Sequence, residues 1–175
     1  MNNSRDIRNI ALIGFMGTGK SSVGRLLAEQ LRFEFVDTDD LVEARAGKTI
    51  TEIFRQEGEA AFRELEKQTV AALASRSRLI IATGGGLGAS QANLDSLKAH
   101  SLVVCLWTSP EKIWQRVRHQ THRPLLAGPN PLGKIRTLLT EREPFYRQAD
   151  VIMNTESRSI KAAAQQVAHQ FAQAG

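Results

Sequence analysis

The chain has 175 residues, of which 42% are hydrophobic and 23% are charged. This length fits one domain with a buried core, and this composition excludes a disordered or membrane-embedded chain. The net charge is +5, from 23 Lys and Arg against 18 Asp and Glu. Because the basic residues are scattered and not interleaved with aromatics, anionic small molecules are favoured as ligands over nucleic acid.

The same composition predicts a cytoplasmic protein without a membrane partner. No apolar run is long enough to cross a bilayer, and the polar stretch Met1–Asp6 leads directly into the first predicted strand, without the pattern of a signal peptide. The single cysteine, Cys105, lies in an apolar run and is expected to be a core thiol. No repeat or linker divides the chain, so residues 1–175 are predicted to form one domain.

Short apolar runs alternate with amphipathic segments, which predicts an α/β fold with a parallel sheet covered on both faces. The predicted strands are Ile10–Ile13, Glu34–Val36, Leu79–Ala82, Leu102–Trp107 and Val151–Met153. The predicted helices are Ser21–Leu31, Asp39–Ala46, Glu59–Ser75, Gln91–Ala99, Pro110–His119, Lys134–Arg147 and Ser159–Ala172, with a further short helix starting at the capping-box sequence Thr49–Glu52.

The segment Gly14–Ser21 follows the first strand and matches the phosphate-binding pattern G-x-x-x-x-G-K-[ST]. A strand, a glycine loop and a helix bring backbone N–H groups and a helix N-terminus to an anion. Lys20 is then expected to reach the β- and γ-phosphates, and the Ser21 hydroxyl to ligate Mg²⁺. A chance glycine-rich turn is the alternative, which the matching flanks disfavour. The residues predicted to contact the nucleotide here are Gly17, Thr18, Gly19, Lys20, Ser21 and Ser22.

Acidic residues follow the second strand, at the carboxyl end of the strands, where parallel sheets bind ligands. Alternation along the chain places Asp37 and Asp39 on the same side. One of them can steady a magnesium ion through water, and the other can hold or deprotonate an acceptor hydroxyl. Helix capping is the alternative for this group, and Asp40 is predicted to have that role alone.

Two further segments carry candidate chemistry. The glycines Gly84–Gly86 follow the third strand and suggest that a substrate approaches the backbone closely, with a flexible hinge as the alternative. The aperiodic stretch Gln120–Pro131 is either a plain connector or a lid, and Arg123 within it favours a lid over a phosphoryl-transfer site. Taken alone, Arg63 is a solvated arginine or an i,i+3 partner of Glu66.

Together these features resemble the shikimate kinase family over nearly the whole chain. The signatures that carry the resemblance are Gly14–Ser21, Asp37–Asp39, Phe62–Glu66, Gly84–Gly86, Arg123–Leu126 and Arg142 ahead of Phe145 and Tyr146. The resemblance implies a three-layer α/β/α fold with a parallel sheet in the order 2-3-1-4-5 and a mobile lid near 119–131. It also implies transfer of the γ-phosphoryl of ATP to the 3-hydroxyl of shikimate, with Mg²⁺, on the way to chorismate and the aromatic amino acids.

The same resemblance implies roles for individual residues. Asp39 is expected to hold the shikimate hydroxyls, with action as a general base left open. Arg63 and Arg142 are expected to bind the shikimate carboxylate, and Gly85 to supply a backbone donor. The remaining expected roles are contact with Mg²⁺ through water for Asp37, charge neutralisation from the lid for Arg123, and stacking on adenine for Arg116.

Three other functions remain open from the residues. A related kinase, for example one acting on gluconate, shares the glycine loop but is not expected to combine paired carboxylate-binding arginines with Gly84–Gly86. A non-catalytic module that senses shikimate is not expected to keep Lys20, Asp39 and Arg123 together. A protein that binds nucleic acid through its positive charge is the third alternative. We expect a monomer, because no feature of the sequence requires an oligomer.

Overall fold

A computed structural model describes residues 5–120 and 126–175, and its centre is a five-stranded parallel sheet. The strands are β1 Asn9–Ile13, β2 Glu34–Asp37, β3 Leu79–Ala82, β4 Ser101–Trp107 and β5 Val151–Asn154. They lie in the order β2-β3-β1-β4-β5, and all neighbours are parallel. The predicted order 2-3-1-4-5 is therefore confirmed.

Helices fill the connections between the strands, as the sequence predicts. The helices of the described residues are α1 Lys20–Leu31, α2 Thr38–Ala46, α3 Ile50–Leu73, α4 Gln91–His100, α5 Pro110–Val117, α6 Pro131–Tyr146 and α7 Ile160–Ala174. The predicted capping box at Thr49 is present, with Glu52 as its partner. Helix α6 begins at Pro131 and not at Lys134, because Asn130 caps it and a proline fits the first turn.

The central strand β1 is buried along its whole length, and its side chains alternate between two cores. Ala11 and Ile13 belong to the core that the sheet shares with α3, α4, α5 and α6. Ile10 and Leu12 belong to the core that it shares with α1 and α7. Burial on both faces explains why the strands read as continuous apolar runs, and it gives the predicted three layers.

Two sequence predictions about the core and the membrane can be compared with the structure. Cys105 is completely buried and unpaired, which confirms it as a core thiol. No helix within residues 5–120 and 126–175 is both long and apolar enough to span a bilayer.

Because all five strands are parallel, the loops after β1, β2 and β3 leave the sheet at the same end, the carboxyl end of the strands. The loop after β1 is the predicted phosphate loop, Asp37 ends β2, and Gly84–Gly86 follow β3. The fold therefore places three of the predicted functional segments side by side.

A tight contact between α1 and β2 leads to a prediction about stability. Replacing a glycine in a helix interior by alanine normally stabilises the helix by about 1 kcal/mol. At Gly24, however, an added Cβ would lie 2.7 Å from the Phe35 ring and 3.3 Å from Leu12 Cδ1. We expect Gly24→Ala to lower the free energy of unfolding by about 1 kcal/mol, because overpacking outweighs the gain in helix propensity. Urea denaturation measures it.

The matched control is the same substitution in a Phe35→Leu background, where the ring no longer occupies the space. There we expect Gly24→Ala to be neutral or stabilising. A stabilising effect in the wild-type background would show that crowding against Phe35 does not outweigh the gain in helix propensity.

Candidate active site

The phosphate loop is pressed against the end of β4 and the side of α5. Gly14 has φ 138°, and a Cβ there would lie 2.3 Å from the Leu106 carbonyl oxygen. Gly17 has φ 76°, and a Cβ there would lie 2.8 Å from a methyl group of Val117. Both positions therefore require glycine for conformation and for space. Gly19, with φ 100°, is the N-cap residue of α1.

Lys20 is buried inside this loop. Its Nζ donates hydrogen bonds to the carbonyl oxygens of Gly14 at 2.7 Å and Phe15 at 2.9 Å. The Thr18 hydroxyl donates to the same Phe15 oxygen at 2.8 Å. The loop backbone, the N-terminus of α1 and one ammonium group thus form a cationic cradle of the kind that binds phosphate.

A cavity of about 290 Å³ opens beside the loop. Arg116 lies on its wall, where its guanidinium donates to the carbonyl oxygens of Gly17 at 2.9 Å and Thr155 at 3.3 Å. The Thr155 hydroxyl donates to Thr18 O at 3.0 Å, which ties the end of β5 to the loop. The lining residues are Gly17, Thr18, Gly19, Ser22, Val23, Arg116, Thr155, Arg158, Ser159, Ile160 and Ala163.

Sequence reasoning missed the part of this wall that follows β5, namely Thr155, Arg158 and the start of α7. No motif marks these residues. Their position just after a strand that neighbours β4 is the signal that could have found them, because ligands collect at the carboxyl edge of a parallel sheet. Arg116 was predicted, and the structure places it on the cavity wall.

The acidic segment after β2 caps a helix as well as facing the site. Asp37 is the N-cap of α2, and its Oδ1 accepts a hydrogen bond from the backbone N–H of Asp39 at 2.9 Å. The prediction that Asp40 caps this helix is therefore wrong, because the helix starts at Thr38 and Asp40 lies in its first turn. The Thr38 hydroxyl accepts from Gly84 N–H at 2.9 Å and holds this turn against the glycine run.

The carboxyl group of Asp39 has a strongly perturbed acidity. Burial, and then the neighbouring charges of Asp37 and Glu66, raise the pKa of Asp39 to about 6, while the Lys20 ammonium opposes the rise. Burial also raises the pKa of Asp37 above its ordinary value. A carboxyl group with a pKa near neutrality is suited to accept a proton, and such shifts cluster at functional sites.

The glycine run after β3 is the meeting point of three predicted side chains. A Cβ on Gly84 would lie 2.4 Å from Asp39 Oδ1. A Cβ on Gly86 would lie 2.9 Å from Arg63 Nη1, and one on Gly85 would lie 3.8 Å from an Arg142 nitrogen.

At Gly84 and Gly86 an added Cβ would force Asp39 or Arg63 to move, because those side chains occupy that space. This is a physical reason for glycine that differs from the close substrate approach expected from the sequence.

Arg63 and Arg142 are each held by partners within the site. Arg63 Nη1 lies 2.7 Å from the carboxylate of Glu66, which is 2% exposed, so the predicted i,i+3 pair is present. Arg142 is 9% exposed, and its Nη1 donates to Gly85 O at 2.9 Å. The Tyr146 hydroxyl donates to the same oxygen at 3.1 Å. These contacts fix two guanidinium groups beside the glycine run.

The structure thus brings together Asp39, Arg63, Gly85 and Arg142 around Gly84–Gly86. The phosphate loop adjoins them, since a Cβ on Gly85 would lie 3.5 Å from the backbone nitrogen of Met16. Sequence reasoning gave no role in the site to Glu66 or Tyr146. Arg123 lies in 121–125, the part of the predicted lid that is outside the described residues.

The donors expected at a magnesium site are oxygens. The Ser21 hydroxyl lies in the first turn of α1, and the Asp37 carboxylate ends β2 at the same edge of the sheet. Magnesium usually binds one or two such protein oxygens together with water and substrate phosphates, so this donor set fits the ion. Within residues 5–120 and 126–175, no cluster of three or more His, Cys, Asp or Glu side chains could hold a metal.

A parallel sheet with helices on both faces and a glycine loop between β1 and α1 defines a nucleotide-binding protein of the P-loop class. A family model described as shikimate kinase matches residues 16–173. The chain belongs to the shikimate kinase family.

Individual relatives agree with this assignment. The chain is 48% identical over 156 residues to a shikimate kinase of Symbiobacterium thermophilum, covering 87% of this chain and 90% of the relative. It is 40% identical over 165 residues to a shikimate kinase of Thermodesulfovibrio yellowstonii, covering 94% and 95%. The solved structure of the Acinetobacter baumannii shikimate kinase in complex with shikimate superposes with a TM-score of 0.89 at 40% identity, covering 97% and 95%.

The raised pKa of Asp39 leads to a prediction about stability. Because the pKa is about 6 in the folded protein against 3.8 ordinarily, the ionised carboxylate destabilises the fold, and this loss develops as the pH rises from about 4 to about 6. We expect Asp39→Asn to raise the Tm by about 6 °C near pH 8, and this gain to disappear near pH 4. Circular dichroism melts across this range measure it.

Asp40→Asn is the matched control, since Asp40 is an exposed neighbour in the same turn. We expect its Tm to change much less than that of Asp39→Asn near pH 8. A lower Tm for Asp39→Asn at that pH would contradict the assigned burial and repulsion.

Proposed function

We propose that this protein transfers the γ-phosphoryl group of ATP to the 3-hydroxyl of shikimate, giving shikimate 3-phosphate and ADP. The observation that carries the proposal is the convergence of Asp39, Arg63 and Arg142 on Gly84–Gly86, next to the phosphate loop. Two cations and a carboxylate suit an acceptor that has both a carboxylate and a hydroxyl group. Membership of the shikimate kinase family supports the same assignment.

In the proposed acceptor site, different residues would bind the two ends of shikimate. The guanidinium groups of Arg63 and Arg142 would bind its carboxylate through charge-assisted hydrogen bonds, with Gly85 N–H as a further donor. The anchoring of Arg63 by Glu66 and of Arg142 by Gly85 O supports this role, because less side-chain freedom remains to be lost on binding. The opposite end of shikimate would then face Asp39.

Asp39 would receive the acceptor proton during transfer. In this step the shikimate 3-oxygen forms a bond to the γ-phosphorus, the bond from that phosphorus to the β,γ-bridging oxygen breaks, and ADP leaves with that oxygen. The proton of the hydroxyl group passes to the Asp39 carboxylate. A pKa of about 6 supports this role, because the group is ionised at neutral pH and yet basic enough to hold a proton.

The charge of the transferred group would be balanced by the cationic cradle. Lys20 would face the β- and γ-phosphates, and Arg123 would add a second cation from the lid. Bound Mg²⁺ supplies further positive charge at the phosphates. We propose Ser21 as its direct protein ligand and Asp37 as a contact through water.

The cavity beside the loop would hold the nucleoside. Its position next to Gly17–Gly19 and its volume of about 290 Å³ support this use. Arg116 presents a planar cation on the wall, which is suited to stack on adenine. Nucleotide and acceptor would thus bind in separate subsites, and the γ-phosphoryl group would pass in line from one to the other.

The proposal is tested by measuring ADP release with ATP and Mg²⁺ against shikimate, quinate, gluconate, AMP and water. We expect turnover with shikimate alone, because gluconate is an open chain, quinate has a saturated ring with an extra hydroxyl on the carbon that bears the carboxylate, and AMP places phosphate near Asp39. Turnover with gluconate or AMP would keep the phosphate site and refute the acceptor assignment. Binding of ATP without turnover of any acceptor would favour a sensing module.

Asp39→Asn tests the role of Asp39 in this assay. We expect it to abolish ADP release while the Kd for ATP changes by less than about threefold, because the substitution removes the proton acceptor and leaves the phosphate loop intact. Loss of ATP binding would show that Asp39 belongs to the nucleotide subsite and not to the acceptor subsite.

Arg63→Ala tests the carboxylate subsite. We expect the KM for shikimate to rise about 100-fold and the KM for ATP to change little, because one charge-assisted contact is lost at the acceptor end only. Since this variant leaves buried Glu66 without its partner, its Tm is measured alongside.

Arg147→Ala removes an arginine that forms an exposed i,i+4 pair with Glu143, and it serves as the matched control. We expect both KM values of this variant to match the wild type. Equal increases in the two KM values of Arg63→Ala would contradict its assignment to shikimate.

A further inference from the structure

Helix α3 is interrupted at Gly58, a residue that does not belong to the candidate active site. The backbone there has φ 86° and ψ 176°, a combination that is essentially restricted to glycine. A Cβ at this position would meet nothing within 4 Å. The requirement for glycine therefore comes from backbone conformation alone and not from crowding.

The interruption folds the two parts of α3 towards each other. In a continuous helix Ile53 and Phe62, nine residues apart, would point in directions about 180° apart. Both instead pack with Val42 in one small apolar cluster, separate from the two sheet cores. The ring of Phe54 also lies 4.8 Å from that of Phe62, whereas eight residues of continuous helix rise by about 12 Å.

This small cluster adjoins the acceptor site through the contact between Phe62 and Arg63. Phe62 is 5% exposed, and the guanidinium carbon of Arg63 lies 5.3 Å from its ring centroid. Arg63 also bonds to Glu66 and, at 3.4 Å, to Glu59, the residue that follows Gly58. The direction in which the second part of α3 leaves Gly58 thus determines where Arg63 lies.

We propose that Gly58 is a positioning residue for the acceptor site. Its left-handed extended backbone conformation seats Phe62 in the Val42–Ile53 cluster, and this seating holds Arg63 against Gly86. The inference rests on the proposed function, because its readout is the affinity for shikimate. Gly58 acts through Arg63 and touches no substrate.

The test compares Gly58→Ala with Gly47→Ala. Gly47 ends α2 in the same part of the molecule, also has a positive φ of 65°, and also has nothing within 4 Å of a built Cβ. Its ψ of 22°, however, lies in the left-handed helical region, which other residues can adopt at moderate strain. The pair therefore separates the conformation at the break in α3 from the general effect of adding a methyl group to a strained glycine.

We expect Gly58→Ala to raise the KM for shikimate about tenfold, with kcat and the KM for ATP within about twofold of wild type, because alanine drives the backbone towards a continuous helix. We expect Gly47→Ala to lower the Tm by a few degrees and to leave all three kinetic constants unchanged. Kinetics are measured well below the lower of the two Tm values. A KM for shikimate that is the same in both variants would overturn the proposal.

Phe54→Ala provides a second route that leaves the backbone untouched. Phe54 is 40% exposed, so its truncation is compatible with folding even if Gly58→Ala does not fold. We expect the KM for shikimate to rise about threefold, since Phe62 loses its ring contact. An unchanged KM in this variant would count against the cluster as the support of Arg63. If the wild type fails to turn over shikimate, the proposed function fails and not this inference alone.

Discussion

The candidate site depends on a run of backbone without side chains at the carboxyl end of β3. The peptide units of Gly84–Gly86 lie among one carboxylate and two guanidinium groups that come from three different helices. A single added Cβ at either end of the run would displace Asp39 or Arg63. The distance between these charges is therefore set by close contact with backbone, which is stiffer than contact between long side chains.

Charge balance in this small volume explains why the groups have unusual properties. Asp37, Asp39 and Glu66 share a partly buried region, and burial raises the pKa of each of them. The opposing charges of Lys20, Arg63 and Arg142 keep the region from carrying a net excess of negative charge. An arrangement of this kind costs stability, because burial raises the free energy of each ionised carboxylate in the folded protein.

Local patterns predicted the strands and the phosphate loop, because burial on both faces gives continuous apolar strands and because the loop residues are adjacent in the chain. The sheet order and the roles of Arg63, Gly85 and Arg142 were predicted only through the resemblance to the shikimate kinase family, since neither arginine is distinguishable by its local pattern from a solvated one. Local patterns failed for contacts made between distant segments. The hydrogen bonds of Arg142 and Tyr146 to Gly85 O and the wall formed by Thr155 depend on how elements pack, and no local pattern records them. The cap of α2 is a local contact, but several adjacent carboxylates compete for that role, and the structure uses Asp37.

The two ends of the site are supported by different parts of the fold. The phosphate loop is held by the backbone of β4 and by side chains of α5 and Thr155, which belong to the central sheet and its neighbours. Arg63 is instead supported by the small cluster of Val42, Ile53 and Phe62, which is separate from both sheet cores. Contacts in a small cluster are easier to perturb than those of a large core, because fewer buried groups hold each member in place. Acceptor affinity can therefore change through this cluster while the nucleotide end of the site keeps its geometry.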